Sequence, residues 1–201
     1  MSDAAPRLYL VTPVFDDARV FAPRLREALE AVDLASLLVR SGAQGATAIR
    51  ELAAPAQDKG VAVLVEGSPQ LAVEAGADGV QVQGAGEVLR EALKLLAPGR
   101  IVGAAGLRER HDAMVAGEAG ADYVLFGDLG ETLAAKVERV GWWAELFNTP
   151  CVALIGALNE AAPLAKAGAD FLMVGDCVWS DPRGIGAALD DLRRLCAEYE
   201  A

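Results

Sequence analysis

Eight short apolar runs punctuate the chain, at 8–11, 36–40, 61–65, 80–83, 101–103, 123–126, 151–154 and 171–174. Their apolar residues do not alternate regularly with polar ones, which is the pattern of strands buried on both faces. Between them lie amphipathic stretches with helical spacing. Leu25, Ala28, Leu29 and Val32 form one apolar stripe, and Ile185, Ala188, Leu189, Leu192, Leu195 and Tyr199 form another. Helices are expected over about 20–32, 46–59, 86–96, 109–118 and 159–167. Ser68-Pro69 and Asp181-Pro182 each read as a cap followed by a first-turn proline. Residues 127–140 read as the longest connection, helical in part over 131–140, before a short helix at 142–147.

One joint recurs three times, as Gly76-Ala77-Asp78, Gly120-Ala121-Asp122 and Gly168-Ala169-Asp170. Each copy closes a helical pattern and opens an apolar run. A glycine there fits the left-handed position just past a helix end. Counted from Glu74, Glu118 and Lys166, the copies start 44 and 48 residues apart, with one further apolar run inside each interval. The unit is therefore about 22 to 24 residues, near the minimum for a strand, a helix and two short loops. Eight such units fill 201 residues, which predicts one domain over 1–201, an α/β barrel of eight parallel strands with eight outer helices.

Composition narrows the setting. A hydrophobic content of 53% suits a large core, yet no apolar run approaches the roughly 20 residues of a membrane span. The opening Met1-Ser2-Asp3-Ala4-Ala5-Pro6-Arg7 has no apolar signal region, so a cytoplasmic protein is expected. Cys151, Cys177 and Cys196 are odd in number and far apart, as reduced, buried thiols would be. A net charge of −11 without a basic block argues against nucleic acid.

In such a barrel, ligands meet the residues just past each strand. Those are Thr12, Arg40, Glu66-Gly67-Ser68, Gln83-Gly84, Ala104-Ala105-Gly106, Gly127-Asp128, Ile155-Gly156 and Gly175-Asp176. The inventory holds one base, Arg40, placed to grip an anion or to pair with Glu66. Its acids are Glu66, Asp128 and Asp176. His111 sits among charges and reads as a solvated helix surface. Trp142 and Trp143 read as core or interface.

The chain resembles the thiamine phosphate synthase and thiazole tautomerase family along nearly its whole length. The likeness is carried by Leu8-Tyr9-Leu10-Val11-Thr12, the three Gly-Ala-Asp joints, Gly141-Trp142-Trp143-Ala144-Glu145-Leu146 and Pro150-Cys151-Val152-Ala153. The resemblance implies a transferase that joins a hydroxymethylpyrimidine diphosphate to a thiazole phosphate and releases diphosphate. It implies substrate contacts at Arg40, Gly127, Asp128, Thr132, Gly156, Gly175 and Asp176, and a magnesium ion held by Glu66 with Glu87. The partners expected are a small-molecule ligand at the C-terminal mouth and, as an open option, a homo-oligomer.

The chain departs from the family at several of these places. Leu38 and Gly42 stand for a glutamine and a lysine, Glu66-Gly67 for an asparagine-aspartate pair, Gly86 for a second magnesium aspartate and Ala105 for a serine. Lys136 is displaced by about one place, Ile155 replaces a glycine, and Asp176 falls near a phosphate-site serine. Carboxylates thus replace phosphate-binding donors. A dianion about 5 Å from Asp128 and Asp176 would be repelled by a few kcal/mol at an effective dielectric near 20. The alternative is therefore a family member that has lost the activity and binds a non-phosphorylated or cationic small molecule.

Overall fold

The computed structural model describes residues 5–128 and 130–197. Among them, eight strands pair in parallel and in sequence order: β1 (Arg7–Val11), β2 (Leu34–Val39), β3 (Ala62–Glu66), β4 (Gly79–Gln83), β5 (Ile101–Ala105), β6 (Tyr123–Phe126), β7 (Cys151–Leu154) and β8 (Phe171–Val174). β8 returns to β1, with Leu8 opposite Leu172, and closes the barrel. Helices α1 (Ala18–Ala31), α2 (Ala46–Gln57), α3 (Pro69–Ala75), α4 (Glu87–Leu96), α5 (Arg110–Glu118), α6 (Leu133–Leu146) and α7 (Ala161–Lys166) follow the first seven strands. Two more, α8 (Asp176–Trp179) and α9 (Ile185–Ala197), follow β8.

The continuous apolar runs have the expected cause. One set of side chains, including Leu10, Leu37, Val63, Val80, Val102, Val124 and Leu172, packs outward against the helices. The alternate set, including Tyr9, Leu38, Leu64, Tyr123, Leu125, Val152 and Met173, fills the barrel interior.

The repeated joint works as a clip on the N-terminal rim. Gly76, Gly120 and Gly168 adopt positive φ of 72°, 95° and 99°, turning the chain out of each helix. The aspartate that follows then grips the preceding strand with its side chain and its backbone. Asp78 Oδ2 accepts from Val63 N at 2.7 Å, and Asp78 N donates to Val63 O at 2.7 Å. Asp122 does the same at Val102, with 2.7 and 2.9 Å, and Asp170 at Cys151, with 2.8 and 3.0 Å. Each clip satisfies both backbone groups of one buried strand residue, which would otherwise be left unpaired at the strand's end.

Two local expectations need correction. Residues 127–140 are not a long connection: Thr132 starts α6, one helix of 14 residues that runs through Gly141. Glycine costs about 1 kcal/mol inside a helix; burial of Lys136, Val140 and Trp143 along one face outweighs it. Asp181-Pro182 does not cap the last helix. Asp181 instead accepts from Arg183 N and Nη2, both at 2.8 Å, and Gly184 at φ 98° completes a turn before α9 begins at Ile185. Tyr199 and the opening residues 1–4 lie outside the described residues. Among those described, no helix is long and apolar enough to cross a membrane.

Candidate functional site

The C-terminal mouth holds a cavity of about 210 Å³. Its floor is apolar, made by Leu38, Leu125, Leu154 and Met173. Below them runs a hydrogen-bonded chain: the Tyr9 and Tyr123 hydroxyls lie 3.0 Å apart, and the Tyr123 hydroxyl donates to Gln81 Oε1 at 2.9 Å. Burial raises both phenols well above their ordinary pKa, so they stay neutral donors. Gln81 and Gln83 stand two residues apart on β4, so both side chains take the same face of the strand, and both line the mouth. The expected strand-end residues included Gln83 but not Gln81; two glutamines at i and i+2 in a buried strand were the available signal.

Arg40 stands at the rim with Glu66, as its strand-end position implied. Its Nε lies 3.3 Å from Glu66 Oε2, and both side chains are more than a third exposed. Thr12, itself buried, fixes the base of this arm: its hydroxyl accepts from Arg40 N at 3.0 Å. Gly127, Asp128, Gly156, Gly175 and Asp176 also line the mouth, together with Cys177. Burial pushes the Cys177 thiol up, which disfavours its thiolate. Asp128 is not the uncompensated charge expected: Arg108 Nε lies 3.6 Å from its Oδ2. That pair is exposed and weak. No ion pair reaches Asp176 among the described residues.

Two of the expected site residues do other work. Thr132 does not line the mouth; its hydroxyl accepts from Ala135 N at 3.3 Å and caps α6. Glu87 lies in the first turn of α4, exposed and 2.8 Å from Arg90 Nη2, away from Glu66. Among the described residues, no group of three or more His, Cys, Asp or Glu side chains could hold a metal ion. His111 is exposed, as expected. Trp143 is buried in the core, with Nε1 donating to Thr149 O at 2.7 Å, and Trp142 packs half-buried beside it.

A second charged group, absent from the strand-end inventory, lies behind the wall between β6 and β7. Lys136 reaches in from α6 with its side chain 4% exposed. Its Nζ donates to Glu160 Oε2 at 2.7 Å and to Leu154 O at 3.2 Å. The same Oε2 accepts from Gly156 N at 2.8 Å. Burial pulls the Glu160 carboxyl up, but the Lys136 hydrogen bond and charge and the Gly156 and Ala157 N–H groups outweigh it and hold the group below its ordinary value. Gly127, at φ 111°, makes room for this arrangement: a side chain there would press on Leu154 at 3.1 Å and on Lys136 Cδ at 3.4 Å. The sequence signal was a lysine on the apolar face of an amphipathic helix.

The sequence profile described as thiamine monophosphate synthase matches residues 8–178. The chain is 42% identical over 200 residues to a thiamine-phosphate synthase of Rhodospirillum centenum, covering 94% of this chain and 97% of that protein. It is 40% identical over 199 residues to the one from Hyphomonas neptunium, covering 91% and 90%. Among solved structures, thiamine phosphate pyrophosphorylase from Pyrococcus furiosus superposes with a TM-score of 0.80 at 24% identity, over 96% of each chain. A 3-hexulose-6-phosphate synthase follows at 0.77 and 18%, over 94% of this chain and 99% of that one. The structural likenesses speak to the fold alone.

Proposed function

The chain belongs to the thiamine monophosphate synthase family, and from that premise we propose that its barrel mouth carries out the transfer named by its relatives. The substrates are a hydroxymethylpyrimidine diphosphate and a thiazole phosphate. The bond between the pyrimidine methylene and the diphosphate oxygen breaks, the thiazole nitrogen takes the methylene, and diphosphate leaves. Such a step needs stabilisation of the departing charge more than it needs a base. The observation that carries the reading is Arg40, anchored by Thr12 and standing over an apolar floor. It meets Glu66 through Nε, which leaves its terminal amino groups for a diphosphate. Leu38, Leu125 and Met173 offer an apolar surface to the pyrimidine, and Gln81, held from below by Tyr123, also lines the mouth.

Magnesium is implied by the family, and it commonly takes one or two carboxylates together with substrate phosphates. The acids here do not gather into a resident ion site: Glu66 is engaged by Arg40, Asp128 by Arg108, Glu87 stands apart with Arg90, and Asp176, which has no ion pair among the described residues, joins no group of three potential ligands.

A second reading has an observation of its own. Lys136 is committed to Glu160, and the cavity is smaller than the roughly 300–1,000 Å³ of most small-molecule sites. Both features favour a repurposed mouth that takes a non-phosphorylated or cationic ligand. An assay for thiamine phosphate with both substrates and magnesium separates the readings. Turnover by the wild type, reduced on the order of 100-fold in Arg40→Met, is the outcome expected of the transferase. No product from a folded wild-type protein rejects it in favour of the second reading.

A further inference from the structure

The Lys136–Glu160–Gly156 group has the donor set of an anion site: an ammonium and a glycine N–H, both directed at one carboxylate oxygen. The anion is the protein's own. Gly156 lines the mouth, and a side chain built on it would meet only Glu160 Oε2, at 3.9 Å. Lys136 and Glu160 lie behind the cavity wall, and Gly156 is the member of the group that borders the ligand cavity. We propose that Glu160 determines the charge specificity of the mouth: its carboxylate is a built-in competitor that an anionic ligand group must displace to reach Lys136 and the Gly156 N–H.

The inference rests on the reading of this mouth as the ligand site. It explains why a buried lysine beside the cavity brings no net positive charge to it. The side chains of Lys136 and Glu160 are 4% and 17% exposed, so solvent screens the pair little and the carboxylate largely cancels the ammonium seen from the cavity. It also assigns Gly127 and Gly156 a role other than contact with a phosphate. The first admits the lysine stem and the second offers its N–H to the carboxylate.

The test is calorimetric titration with inorganic phosphate, in EDTA, of the wild type, Glu160→Gln, Glu160→Ala and the double variant Lys136→Met with Glu160→Ala. The glutamine removes the competing charge at constant volume, and the alanine opens the cradle. Both single variants should bind phosphate at least about tenfold tighter than the wild type, and the double variant should lose that gain. Equal affinity in folded wild type and single variants overturns the proposal. So does a gain that survives Lys136→Met, since the cradle would then not be the site. Should both Glu160 variants fail to fold, the wild type decides alone: millimolar or absent phosphate binding is expected, and micromolar binding overturns the proposal. Inorganic phosphate reports on the cradle without any reaction. A wild type that fails to make thiamine phosphate therefore sinks the transferase reading and leaves this one standing.

Discussion

The two ends of the barrel are built on different rules. At the N-terminal rim the same device is used three times: a left-handed glycine, a small spacer and an aspartate clipped to both backbone groups of the preceding strand. At the C-terminal mouth the strand ends differ, apart from the Gly-Asp pair that follows both β6 and β8. Arg40 leans on Glu66, Arg108 reaches over to Asp128, and Lys136 passes between two loops to Glu160. The rim repeats because each unit meets the same requirement, an unpaired strand end to satisfy. The mouth varies because its groups face a ligand, and each loop contributes separately to one asymmetric surface.

The largest effect expected from this contrast is at Gly79, directly after the Asp78 clip. A methyl group there would collide with the carbonyl oxygen of Ile101, which is backbone of the neighbouring strand and has little room to give. Gly79→Ala should cost about 3 kcal/mol or more, the upper range of overpacking, measured by urea denaturation. A loss below about 1 kcal/mol would show that the rim is softer than its contacts imply.

Next comes the clip itself. Asp122→Ala leaves Val102 N without its side-chain acceptor and should cost about 1–3 kcal/mol. Asp122→Asn keeps an acceptor oxygen and should recover part of that loss. Neither change should alter phosphate titration at the mouth; if either does, the two ends are coupled and the contrast fails.

Thr132 sharpens the boundary from the other side. It follows a mouth loop but caps α6. Thr132→Ala should lower stability by about 1 kcal/mol and leave ligand binding unchanged. Weaker binding at unchanged stability would return Thr132 to the ligand site.

The smallest effect expected is in acid. Glu160 is held below the ordinary carboxylate value of 4.5 when folded, so its contribution to stability is full above that value. That contribution is lost as pH falls through the depressed folded value. The stability difference between wild type and Glu160→Gln should be constant near neutrality and shrink on acidification. A difference that is flat down to pH 3 would mean that the carboxylate gains nothing from Lys136.

By itself, the sequence determined the barrel. Periodicity, glycines at helix ends and buried apolar runs are set by contacts a few residues apart, so all eight strands and the closed order could be read from the pattern. It also placed Arg40 beside Glu66, because neighbouring strands of a barrel put successive strand ends side by side. Only the tertiary structure decided what the charges of the mouth do. Lys136 and Glu160 are 24 residues apart, on elements whose spacing says nothing of which carbonyl or N–H a long side chain will reach. Helix boundaries failed where packing overrode local preference, as when Gly141 was absorbed into α6, and where a competing local bond intervened, as when Arg183 took Asp181 from its expected cap. A site is a sum of such long-range choices, each worth only a few kcal/mol or less, and no local pattern records them.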